Sequence, residues 1–66
     1  MLKFEVGDLI QHSDKSYYGH PFLILAAGIP YPELPTAICY RILDTSNGHM
    51  VHAYVKYIDE RFVRTA

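Results

Sequence analysis

The dipeptide Asn47-Gly48 stands between two runs whose apolar positions alternate, Ala37 to Leu43 and Met50 to Tyr57. Both residues tolerate the positive φ of a type I′ turn, which makes this the strongest short-range signal for a β-hairpin. A two-residue loop sets Tyr40 opposite Val55, Ile42 opposite Ala53 and Asp44 opposite Val51. Tyr40, Ile42, Val51, Ala53 and Val55 then share one face, and Arg41, Leu43, His52, Tyr54 and Lys56 share the other. A slip of one residue would mix the two sets, so turn chemistry and side-chain pattern agree. Ile24, Ile42, Val51 and Val55 are the expected core.

Upstream, Leu2, Phe4 and Val6 alternate with Lys3 and Glu5, which predicts a lead-in strand broken at Gly7-Asp8 and resumed at Leu9-Ile10. Residues 11–21 are mostly polar and read as a long loop with Tyr17-Tyr18-Gly19 near its far end. Phe22 to Ala27 is an apolar run of strand length, expected to be buried on both sides. Pro30, Pro32 and Pro35 cannot donate to a ladder, so residues 28–36 read as an extended loop. Residues 58–61 suit one helical turn, and Phe62-Val63 a last short strand. No helical apolar period persists for three turns. The predicted fold class is all-β.

Sixty-six residues form one domain, 1–66. So short a chain buries only about 60% of its unfolded surface, so many such domains lean on disulfides, metals or association. Cys39 is the single cysteine, which excludes an internal disulfide and a multi-cysteine zinc site. Half of the residues are hydrophobic, rich enough that some should face a partner. The net charge of −1 lacks the basic excess of a general phosphate-backbone binder. No run is long enough to span a membrane, and the start lacks a signal-peptide core. A soluble, cytoplasmic or intracellular protein is expected.

Five short strands, a long first loop, a tight hairpin over 43–50 and a helical turn before the last strand resemble the SH3-like barrel. The pieces are Phe4-x-Val6-Gly7-Asp8-Leu9-Ile10, the Pro21 to Ala27 run, the Asn47-Gly48 hairpin and Tyr57-Ile58-Asp59-Glu60-Arg61-Phe62-Val63. The resemblance implies a small five-stranded barrel. The Ala-Leu-Tyr-Asp-Tyr segment and tryptophan of signalling SH3 domains are absent, so their peptide recognition does not carry over. The nearer likeness is to the small KOW-type barrels of bacteria and phages, which implies an assembly or binding role. That role includes a place within a phage particle.

Four histidines invite a metal reading, but His49 and His52 are three apart in a strand and point to opposite faces. His12 and His20 flank the first loop without a supporting carboxylate pattern. No metal and no cofactor is expected. Gly7-Asp8-Leu9-Ile10, Gly19-His20 and Gly48-His49-Met50-Val51-His52-Ala53 resemble segments of the permuted papain-like family of NlpC and LRAT type, which implies thiol chemistry. There the nucleophile lies on a helix after the histidine, whereas Cys39 falls in a predicted strand. Catalysis is therefore not expected, and Cys39 reads as a small buried hydrophobe.

Two surfaces remain. Tyr17, Tyr18, Tyr31 and Leu34 lie in predicted loops and are candidates for a protein interface or self-association, tyrosine offering large contact area at low entropic cost. Arg41, His52, Tyr54 and Lys56 are candidates for a KOW-like nucleic-acid face, cations meeting phosphates while rings stack on bases. Richness in apolar and tyrosine side chains favours the protein partner.

Overall fold

The apolar run that opens at Phe22 and the two alternating runs that follow it form a three-stranded antiparallel meander. In the computed structural model, which describes residues 2–17 and 19–65, β2 (Phe22–Tyr31), β3 (Leu34–Asp44) and β4 (Met50–Tyr54) follow β1 (Leu9–His12). A short helix α1 (Val55–Arg61) leads into β5 (Phe62–Arg64). The five strands form one antiparallel sheet in the order β4-β3-β2-β1-β5. The all-β architecture is as predicted, and the helical turn expected over 58–61 is a longer helix that begins at Val55. The sheet is not closed into a barrel: β4 and β5 are its two edges, and α1 spans the gap between them.

The β3–β4 hairpin forms, with a longer turn than Asn47-Gly48 implies. Cα partners are Tyr40 with Ala53, Ile42 with Val51 and Leu43 with Met50. The pairing is displaced by two residues from that of a type I′ loop. Asp44 causes this. Its carboxylate accepts from the Ser46 N–H at 2.9 Å and the Ser46 hydroxyl at 2.6 Å, an Asx-turn that opens the loop early. The Asn47 side chain accepts from the His49 N–H, and only Gly48 takes a positive φ, of 75°. A shift of two is even, so the sorting of faces survives.

Other boundaries move for identifiable reasons. Val55, Ile58 and Phe62 follow helical spacing, so the chain leaves the sheet after Tyr54, and Val55, Lys56 and Tyr57 are helical. Residues 28–36 are not a loop: β2 and β3 continue to a turn at Pro32-Glu33, with Tyr31 paired to Leu34. Pro30 is accommodated because register shifts interrupt the β2–β3 ladder, one of them between Pro30 and Tyr31. Residues 2–6 form no strand. Instead the Gly7 N–H donates to the Ile24 carbonyl and Phe4 drops into the core.

That core lies on one face of the curved sheet, where Phe4, Ile10, Phe22, Ile24, Tyr40, Ile42, Ile58 and Phe62 cluster. Ile24 and Ile42 are buried as expected, and Val55 packs at the margin. Val51 is 42% exposed, contrary to expectation, because β4 is an edge strand. β2 is buried on one side only, since Leu25 is exposed.

Candidate interaction surface

The face opposite the core carries a line of apolar side chains that no single segment reveals. Leu9 pairs with Leu23, Leu23 with Leu43, and Leu43 with Met50. Residues directly opposite in a ladder project to the same side, so these four form a row across β1, β2, β3 and β4. Their neighbours in the strands, Ile10, Phe22, Ile24 and Ile42, are buried on the other side, which confirms the assignment. Leu9 is 40% and Met50 52% exposed, and Leu23 and Leu43 are half-buried between them. Val63, opposite Gln11 on β5, and Leu25 on β2 extend the exposed apolar surface.

One register step away lies a polar and aromatic row. Arg41 pairs with Ala26 on one side and His52 on the other, and its Nε donates to His52 Nε2 at 3.3 Å. The Tyr31 and Tyr54 rings stack with centroids 4.6 Å apart, and Tyr31 meets His52 edge-on. Burial and the nearby Glu33 carboxylate push the Tyr31 phenol up from its usual value. Three of the four nucleic-acid candidates, Arg41, His52 and Tyr54, are thus brought together. Lys56 is not on this face: it sits on α1, lining an apolar groove of about 650 Å³ with Ile38, Tyr54 and Tyr57.

The protein-interface candidates do not form one patch. Tyr17 is 66% exposed in the loop after β1, its ring against His12, while Tyr31 and Leu34 flank the turn at the other end of β2. Tyr18 lies outside the described residues. Sequence reasoning missed the Leu9–Leu23–Leu43–Met50 row because it depends on register between strands.

His12 and His20 are engaged in separate places. His12 is buried between Tyr17 and Phe62, and its Nδ1 accepts the Asp14 N–H at 2.9 Å. His20 Nε2 lies 2.8 Å from an Asp44 carboxylate oxygen. Among the described residues no group of three or more His, Cys, Asp or Glu is placed to hold a metal ion, and no helix is long and apolar enough to cross a membrane. The Cys39 side chain is fully buried, with Sγ 3.9 Å from the Pro30 carbonyl oxygen, and burial pushes its thiol pKa up.

Comparison with known protein families, with curated proteins and with solved structures finds no match to this chain. The surface geometry itself therefore carries the functional argument.

Proposed function

We propose that this chain is a non-catalytic protein-interaction or assembly module that binds through the outer face of its sheet. The observation behind the reading is the in-register row Leu9, Leu23, Leu43 and Met50. Exposed apolar side chains scattered singly are ordinary, but a contiguous line across four strands is surface of the kind a partner buries. The state of Cys39 supports a non-catalytic role, since a thiol nucleophile needs thiolate character and access, and burial opposes both. A lone buried thiol also suits a reducing, cytoplasmic setting, and the assembly reading extends to a phage particle.

The test is capture of partners from an extract of the source cells by immobilised wild-type protein and by a Leu25→Lys, Met50→Lys variant whose circular dichroism is unchanged. A protein retained by the wild type and lost by the variant is the expected result. Retention by both removes the outer row from the function.

A second reading, KOW-like binding of nucleic acid, is favoured by the Tyr31–Tyr54 stack beside Arg41 and His52. It requires affinity that falls steeply with salt and weakens on Arg41→Ala, because counterion release drives such binding.

A further inference from the structure

We propose that the free edge of β4 takes an extended segment of a partner protein as an added antiparallel strand, with a basic residue between two apolar ones. The site is distinct from the outer row and shares only Met50 with it, whose side chain belongs to the row and whose backbone belongs to the edge.

The hydrogen-bond phase of the hairpin says what fits there. The Asp44 N–H donates to the His49 carbonyl at 2.8 Å, so Asp44, Ile42 and Tyr40 bond towards His49, Val51 and Ala53. The N–H and C=O groups of Met50 and His52 therefore point away from β3, and no other described residue pairs with them. An extended backbone is what matches such a row of donors and acceptors. The opposite edge is guarded. There the Phe62 N–H donates to the Ile58 carbonyl, and Lys3 Nζ donates to the Phe62 carbonyl at 3.1 Å. β4 holds no lysine, proline or carboxylate, and its ladder with β3 runs without a bulge.

A cleft lies on each side of this edge. On the core side, Val51 and Ala53 with Tyr57 and Ile58 of α1 line a cavity of about 220 Å³. Side chains of the added strand opposite Val51 and Ala53 project into it, and short β-branched residues suit its size. On the outer side, Tyr31, Pro32 and Glu33 at the tip of the β2–β3 hairpin bound a second cleft, of about 240 Å³, with Val51 and His52. The charge lining this cleft is Glu33, which forms no ion pair among the described residues. Arg41 stands on the β3 side of His52, holds it through Nε, and does not line the cleft. The residue opposite His52 thus meets an unpaired carboxylate beside an aromatic ring, a setting for lysine or arginine. A second copy does not suit the edge. β4 laid antiparallel on β4 in full overlap brings two hairpin tips to the same place, Glu33 facing Glu33.

The probe is the blocked peptide Ser-Thr-Val-Lys-Val-Thr-Ser, followed by heteronuclear NMR and amide exchange of the labelled chain. Binding should shift the Met50 and His52 amides and slow their exchange. Methylating the lysine nitrogen of the peptide, which faces His52, should abolish binding, whereas methylating the nitrogen of the following valine, which faces away, should leave it within about twofold. Glutamate in place of the lysine should weaken binding about tenfold or more. Glu33→Gln, at an exposed turn position, should erase that preference and keep the backbone protection. No shift at millimolar peptide overturns the proposal, as do equal binding of the two methylated peptides, equal binding of the lysine and glutamate peptides, or a preference that survives Glu33→Gln. Shifts at Leu9 and Leu23 in place of Met50 and His52 would move the site to the outer row. Protection of Met50 and His52 that deepens with the chain's own concentration would make a second copy the occupant, and either result overturns the edge site for a partner strand.

Discussion

The Tyr40 hydroxyl donates to an Asp59 carboxylate oxygen at 2.6 Å and accepts the Phe4 N–H at 3.1 Å. One phenol thereby ties β3, α1 and the irregular segment before β1 together, and a fully buried ring holds it there. Tyr40→Phe leaves the Phe4 N–H without its partner and should cost about 1–3 kcal/mol, measured by urea unfolding.

The same contact predicts an alkaline limit. Burial, followed by the hydrogen bond to Asp59, pushes the Tyr40 phenol from its ordinary 10.0 up to about 12. The neutral phenol is thus favoured in the folded chain. Its contribution to stability is complete below pH 10 and is lost as the pH rises towards 12. Tyr40→Phe should flatten the fall in melting temperature across that window, and an unchanged slope would assign the alkaline loss elsewhere.

Gly28 and Gly48 share a positive φ for different reasons and should respond differently to a side chain. At Gly48, φ is 75° and a Cβ meets nothing within 4 Å, so Gly48→Val should cost on the order of 1–2 kcal/mol through backbone strain alone. At Gly28, φ is 70° and a Cβ comes within 2.9 Å of the Leu2 side chain. Gly28→Ala should therefore be partly relieved by Leu2→Ala in a double-mutant cycle, while Gly48→Val is indifferent to Leu2.

Ile42 and Val51 face each other across the hairpin, yet only one is enclosed. Ile42→Ala should destabilise by roughly 2–5 kcal/mol, which a domain of this size scarcely survives, whereas Val51→Ala should cost under about 1 kcal/mol. Comparable losses in chemical denaturation would mean that β4 is covered more deeply than its edge position implies.

Cys39 should resist alkylation at neutral pH in the folded chain and label at the rate of unfolding, because burial disfavours its thiolate. Rapid labelling under native conditions, slowed by protonation of a histidine, would revive the thiol-enzyme reading.

Acid should act through the β3–β4 turn. Hydrogen bonds from Ser46, and then the neighbouring His20, hold the Asp44 carboxyl below its usual 3.8. The stability it supplies is present above that value and lost as the pH falls through the lowered one. Asp44→Asn should unfold with a shallower dependence on acid pH in an intrinsic-fluorescence titration.

Much of this fold could be read from short segments, and the surface could not. The hairpin and its two faces follow from Asn47-Gly48 and the alternation around it, and they survive an incorrect turn because the error is an even number of residues. The turn length was available in the Asp44-Thr45-Ser46 spacing, whose side-chain bonds compete with a two-residue loop. Pro30 and Pro35 misled because a proline in a strand looks like a break until the bulges that accommodate it are known. Val55 belongs at once to the strand alternation of Val51 and Ala53 and to the helical spacing of Ile58 and Phe62, and the helix begins there, which displaced Lys56 from the face where alternation puts it. Leu9, Leu23, Leu43 and Met50 are separated by 14, 20 and 7 positions in the chain, and only the register of four strands makes them neighbours.

The sheet order also divides the chain by when its pieces can meet. β2, β3 and β4 are joined by a turn at Pro32-Glu33 and a short loop after Asp44, so their pairing closes only small rings. β5 finds its place beside β1 through Gln11 and Val63, across most of the chain. Ring closure becomes entropically dearer with length, so the meander can gather by local search while the β1–β5 seam waits for a scaffold to hold its ends together. The outer row follows that order: Leu23, Leu43 and Met50 assemble with the meander, and Leu9 joins when β1 docks.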